Sequence, residues 1–188
     1  VSYVGELGWE IYVSSDMAAH VFETLEEAGA DHGLKLAGMH VLDSCRIEKA
    51  FRHFGHDITD EDHVLEAGLG FAVRLQKPDF IGRDAVLRKK EEGLKRRMVQ
   101  FKLNDAEPLL YHNEPVVRDG KIVSFLTSGN YGHHLGAAIG LGYVPIEAGE
   151  SSEQILNSSW EIEIAGTRVS AEASIRPMYD PKSERVRM

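Results

Sequence analysis

The residues with the most chemistry to offer lie between Asp43 and Thr59: Asp-Ser-Cys-Arg-Ile-Glu-Lys-Ala-Phe-Arg-His-Phe-Gly-His-Asp-Ile-Thr. Arg52-His-Phe-Gly-His-Asp57 packs a cation, two imidazoles, a ring, a glycine and a carboxylate into six positions. A binding loop can use that mixture, and so can a buried polar loop between two layers. His53, His56 and Asp57 could begin a metal site, but zinc needs three or four closely spaced ligands and no cysteine pattern supports one. We therefore assign no metal. The alternative is that these imidazoles hydrogen-bond backbone or carboxylates. Ser44 with the same histidines and Asp57 could be drawn as a triad, but no nucleophile elbow is present. Cys45 sits in a helical pattern, where a thiol is a small packed residue more often than a nucleophile. Gly129-Asn-Tyr-Gly132 with Gly136, Gly140 and Gly142 has no helix after it, so it reads as barrel turns and close strand packing rather than a dinucleotide cradle. Ser128 and Tyr131 could still face a ligand. Glu10 alternates with Trp9 and Ile11, so it is either a solvated carboxylate or one that lines a cavity. In the second case it can accept two parallel hydrogen bonds from an amino-pyrimidinone edge.

The elements that would hold these residues follow from periodicity. Residues 1–14 predict two short strands around Gly5-Glu-Leu-Gly8. Asp16 is the expected N-cap of a helix with Ala18, Val21, Phe22, Leu25 and Ala28 on one face, ending at Gly29. Leu34–Leu36 predicts a short strand, and a central helix follows from about Gly38 to Phe51. Leu69–Leu75 alternates like a strand, and a charged helix spans Asp84 to Glu92. Lys89-Lys90 with Lys95-Arg96-Arg97 reads as a solvated helix end. Beyond it the spacing predicts six short strands: 98–103, 115–118, 121–128, 137–144, 160–164 and 167–173. Asp119-Gly120 and Ala165-Gly166 are expected hairpin turns. Residues 147–158 predict a polar loop, and the tail after Pro177 an extended charged segment. The fold class is therefore α+β, with a first unit over 1–92 and a small antiparallel β-barrel over 93–188.

Composition narrows the function. The 188 residues are 43% hydrophobic with a net charge of −9, which suits a folded domain and argues against nucleic-acid binding driven by phosphate neutralisation. One cysteine cannot form an internal disulfide, so a reduced, cytoplasmic setting is expected, or the mitochondrial matrix in a eukaryote. No apolar run reaches the ~20 residues that span a bilayer. The opening Val-Ser-Tyr-Val-Gly-Glu6, without Met and already alternating, is expected of a piece of a longer protein.

Several stretches together resemble the aminomethyltransferase family, the glycine cleavage T-proteins and the C-terminal halves of dimethylglycine and sarcosine dehydrogenases. They are Tyr3–Tyr12, Leu42–Lys49, Arg52–Thr59, Leu65–Phe71, Asp79–Arg83, Thr127–Gly132 and Leu141–Val144, in family order and over nearly the whole chain. Leu42 stands where T-proteins tend to carry Arg, and Arg52–Asp57 is worded as in the dehydrogenase branch. The resemblance implies the later part of a folate-binding domain followed by the C-terminal barrel. It implies tetrahydrofolate as the ligand, held by Tyr3 and Glu10, with Arg52 and His56 behind them. It implies a catalytic Asp upstream of residue 1, and FAD, where the parent has it, in a preceding domain. The implied activity is one-carbon transfer giving 5,10-methylenetetrahydrofolate, with the upstream half of the parent chain and a lipoyl carrier protein as partners. A non-catalytic folate-binding or regulatory module is the competing reading, and a pure interaction domain is a third.

Overall fold

In the computed structural model, residues 2–187 are described; Val1, where the first expected strand begins, and Met188 lie outside them. Six antiparallel strands close into a barrel: β1 (Arg96–Leu103), β2 (Pro115–Arg118), β3 (Lys121–Gly132), β4 (Ala137–Pro145), β5 (Trp160–Ile164) and β6 (Thr167–Ser174), hydrogen-bonded in the order β1-β4-β3-β2-β5-β6. Asp119 and Gly120 both take positive φ between β2 and β3, as do Ala165 and Gly166 between β5 and β6. That backbone matches the twist of a two-residue hairpin.

Alternation sorts the side chains. Val99, Phe101, Val116, Leu126, Ala138, Val144, Trp160 and Ile162 fill the barrel with Leu103, Leu110 and Ile155. Met98, Ile139 and Leu141 point outward and pack against Ile47 of the central helix and Ala50 just beyond its end. β4 is thus buried on both faces, which is why Ala137–Val144 reads as one continuous apolar run. Its glycines are there for proximity: a Cβ on Gly140 would come within 2.7 Å of the Leu126 side chain and 3.0 Å of the Ser128 carbonyl.

Before the barrel come three helices, α1 (Ala18–Gly29), α2 (Met39–Glu48) and α3 (Arg83–Glu92), and a one-turn α4 (Ser152–Leu156) lies between β4 and β5. α4 occupies the expected polar loop. Ser151 and Gln154 form a capping box at its start, and Ile155 sinks into the core.

Several expectations fail. Residues 2–13 and 34–36 form no strand, and Leu69–Leu75 is a three-ten turn over Gly70–Ala72 running into coil. Alternation is only a strand signal where a neighbour supplies ladder hydrogen bonds, and among the described residues none pairs with these segments. Met17 occupies the N-cap of α1, without a side-chain cap, and α1 has no buried residue. The basic cluster is not simply solvated: Lys89 and Arg96 both pair with buried Glu66, at 2.7 and 3.0 Å, and Arg96 also pairs with Asp62 at 2.6 Å. The tail is not extended away from the body. Lys49 donates to the Asp180 carbonyl at 2.6 Å and its carboxylate at 2.9 Å, Tyr179 Oη donates to Glu6, and Tyr179 stacks on His134 at 4.1 Å.

Candidate functional site

α2 brings the charged residues of the central stretch onto the barrel. At the end of the helix three of them are buried, Arg46, Glu48 and Lys49, and Asp57 of the following loop is buried as well. Buried charges must be paired, and each of the three is paired with a different part of the chain. Lys49 holds the tail. The Glu48 carboxylate accepts from the backbone N–H groups of His134 and Leu135, and lies 2.6 Å from His134 Nδ1. Arg46 is the hub. Its Nε donates to Asp43 at 3.0 Å, Nη1 to Asp57 at 2.5 Å and to the Phe51 carbonyl, and Nη2 to Ser128 Oγ at 2.8 Å.

Asp57 is buried below the loop and accepts from three groups, one each on α2, the loop and β3. Thr127 Oγ1 donates to one oxygen at 2.5 Å, while the other takes the His53 N–H at 2.9 Å together with Arg46. Just before this loop, Ala50 holds a left-handed φ of 51° and the Phe51 N–H reaches back to the Arg46 carbonyl at 2.8 Å. This Schellman-type ending turns the chain sharply off the helix.

The result is a cleft of about 330 Å³ between α2, the loop at 53–56, the segment 109–112 and β3. Asp43, His40, His53, His56, His112 and Tyr131 are among its lining residues. The rings of His53 and His56 sit 4.6 Å apart. β3 is able to approach segment 109–112 closely because residue 129 is glycine. A Cβ there would meet Leu110 and the backbone of Tyr111 at 2.8 Å.

The expected site residues separate. His56 lines the cleft. Arg52 is turned inward, donating to the carbonyls of Ala67 at 2.9 Å and Ala50 at 2.5 Å, and burial lowers its pKa. Tyr3 is half-buried, stacked on Phe51 at 6.4 Å, with its hydroxyl 3.3 Å from the Arg52 carbonyl. Burial raises the Tyr3 pKa; nearby Arg46 opposes that and Asp57 and Asp43 add to it. Glu10 is solvent-exposed. Among the described residues its carboxylate accepts a hydrogen bond from Tyr12 at 2.7 Å, which raises the Tyr12 pKa. Trp9 and Tyr12 beside it are each 88% exposed.

The other candidates are used structurally. Ser44 donates to the Tyr131 carbonyl at 2.6 Å, so it is not aligned with an imidazole. Burial raises the Cys45 pKa and keeps the thiol protonated. The Arg46 hub itself was missed by periodicity. The signal available was an arginine on the apolar side of a helix, which demands a buried anion.

Two family models cover this arrangement: the GCVT N-terminal domain matches residues 1–77, and the glycine cleavage T-protein C-terminal barrel domain matches residues 96–180. The fold agrees. A crystal structure of the glycine cleavage system aminomethyltransferase T from Bartonella henselae superposes with a TM-score of 0.80 at 24% identity, over 96% of this chain and 48% of that one. The chain belongs to the aminomethyltransferase (glycine cleavage T-protein) family. Within it, the sequence is 46% identical over its whole length to a 4-methylaminobutanoate oxidase (formaldehyde-forming) of Paenarthrobacter nicotinovorans, and 34% identical to the mitochondrial sarcosine dehydrogenase of Homo sapiens. It spans 22% and 21% of the length of these two relatives. Among the described residues no helix is long and apolar enough to cross a membrane.

Proposed function

We propose that this chain forms part of a tetrahydrofolate-dependent one-carbon transferase that yields 5,10-methylenetetrahydrofolate, within a flavin-linked N-methylamine dehydrogenase. The observation that supports it is the match of both family domains in one chain, with relatives named as oxidase and dehydrogenase of methylated amines. In this reading the chain divides near residue 92, and the preceding part of the parent chain supplies the rest of the cavity, the catalytic Asp and FAD. A lipoyl carrier is the partner if the parent works as a T-protein instead.

The residues present suit a pterin. Glu10 is an exposed carboxylate bordered by two exposed aromatic rings, able to accept two donors of an amino-pyrimidinone edge while Trp9 or Tyr12 covers its face. Tyr3 is anchored by stacking and by the Arg52 carbonyl. When bound, tetrahydrofolate supplies the nucleophilic amine. The chain's own part is to hold and orient that group, and to shape the wall of the cavity through α2 and the loop at 51–57.

The test is a tetrahydrofolate titration of the parent chain and its Glu10→Gln variant. Glutamine offers one acceptor where the ligand presents two donors. A loss of about 1.5–3 kcal/mol is expected, which is roughly ten- to 150-fold in Kd. Unchanged affinity would remove Glu10 from the site.

A further inference from the structure

A second cavity, of about 510 Å³, lies between α3, the start of β1, β3 and β4, and shares no lining residue with the cleft beside α2. Its carboxylate acceptors are taken, and several of its donors are not. Both oxygens of Glu66 are occupied, one by Lys89 and the Lys95 N–H, the other by Arg96 Nε. Asp62 gives one oxygen to Arg96 Nη2 and the other to Thr59. Arg96 Nη1 and the exposed Lys95 ammonium have no partner among the described residues. Neither have the hydroxyls of Ser124 and Tyr143, although both oxygens are buried. A buried hydroxyl without a partner is costly, and here two line one cavity. Burial, and then the Asp62 charge, raise the Tyr143 pKa, so this hydroxyl keeps its proton. Lys89, Lys95 and Arg96 stand against Glu66 and Asp62, while Arg52 and Asp57, which also act on Tyr143, carry opposite charges. The groove adjoining across Val123 and Pro145 has carboxylates in excess, Asp119, Glu147 and Glu150 against Arg118 and Lys121. The unpartnered donors, and not the wider charge balance, therefore select the ligand.

We propose that this cavity binds a tetrahedral oxyanion, a phosphate group either free or carried by a small molecule. Lys95 and Arg96 Nη1 meet it from the rim, and the Ser124 and Tyr143 hydroxyls from the floor. Four donor groups with no unoccupied carboxylate among them suit an ion rich in acceptors. The hydroxyls are closed to solvent and the Arg96 guanidinium lies 4.4 Å from the centre of the Tyr143 ring, so entry of the anion widens that contact. The cavity is larger than one phosphate needs, and Val123, Pro145 and the Tyr143 ring would face an organic remainder. The site is independent of the one-carbon reading above.

The test titrates the 188-residue chain at neutral pH with inorganic phosphate and separately with phenyl phosphate, read by calorimetry, with sodium chloride as the blank. Both phosphates are expected to give saturable heats, and chloride none. A lower Kd for phenyl phosphate assigns the group to a small molecule, and equal constants assign it to the free ion. Tyr143→Phe keeps the ring and removes a hydroxyl that has no partner in the free chain. It is expected to leave the phosphate-free urea midpoint unchanged or higher, and to raise the phosphate Kd about tenfold. Lys95→Met, at an exposed position, is expected to raise the Kd similarly. Glu163→Gln, on β5, is expected to change neither quantity. A response to phosphate no larger than that to chloride leaves only water at the hydroxyls and overturns the proposal. So does a Kd that survives both Tyr143→Phe and Lys95→Met, which would put the anion elsewhere. A phosphate-free midpoint that falls in Tyr143→Phe also overturns it, because the hydroxyl would then be bonded already.

Discussion

Arg46 and Asp57 show how single residues carry this structure. Both are buried, and they join α2, the loop at 51–57 and β3 at one point. Removing one partner strands a buried charge, so Asp57→Ala is expected to cost about 3–5 kcal/mol. The shift of the urea midpoint measures it. Arg46→Met with Asp57→Leu in one chain is expected to cost less than the sum of the two single changes, because the double change leaves no fully buried charge alone; Asp43, which also loses its partner, is partly exposed. At the ligand, the Glu10→Gln titration belongs to this scale too. So does Cys45: burial holds its thiol protonated, so slow labelling by iodoacetamide at pH 7.5, relative to free cysteine, is the expected result.

Among elements, β3 and the segment before β2 depend on a contact that only glycine allows. Gly129→Ala would drive a methyl into the Tyr111 backbone. It is expected to destabilise by about 1–3 kcal/mol, and to disturb the His112 and Tyr131 resonances that report on the cleft. The join of α3, the loop at 59–67 and β1 depends on Glu66. Burial alone would raise its pKa, but hydrogen bonds from Lys89, Arg96 and the Lys95 N–H outweigh that and hold it below the usual value. A depressed carboxylate contributes its full stability above the ordinary value of about 4.3, and that contribution fades as pH falls through the folded value. The urea midpoint is thus expected to fall as pH drops below about 4, with a smaller fall in Glu66→Gln.

For the whole molecule, two features set behaviour. The tail closes over the join between the first residues and the barrel. The Met178 N–H donates to Gln100, Lys49 is covered by Asp180, and Glu6 accepts from both Tyr179 and Arg185. Asp180→Ala is expected to open residues 178–187 to limited proteolysis and to lower the melting temperature. The segments before the barrel are open by contrast: Trp9, Ile11, Tyr12, Phe22, Leu36 and Met39 are all exposed, and large apolar side chains left in water favour association. The 188-residue chain is expected to self-associate with rising concentration in sedimentation runs, and to give no turnover alone.

Local pattern determined the barrel. Each strand alternates or is continuously apolar for a reason internal to itself, and Asp119-Gly120 and Ala165-Gly166 can take the positive φ their hairpins need. Hence β2 and β5 were legible to the residue. The order of motifs from Tyr3 to Val144 likewise carried the family. The segments at 2–13, 34–36 and 69–75 were not legible, because strand pairing depends on a partner elsewhere and an alternating stretch without one remains coil. The same is true of the site. A sequence shows that Asp43, Arg46, Asp57, Thr127 and Ser128 are polar. It does not show that the buried Arg46 guanidinium gathers Asp43, Asp57 and Ser128 across up to 82 residues of chain separation, with Thr127 joined through Asp57. Asp43 to Thr59 thus supplied the chemistry, and tertiary packing decided its roles: Glu48 and Lys49 as stitches, Arg52 turned inward, and Asp43 paired with Arg46 at the cleft.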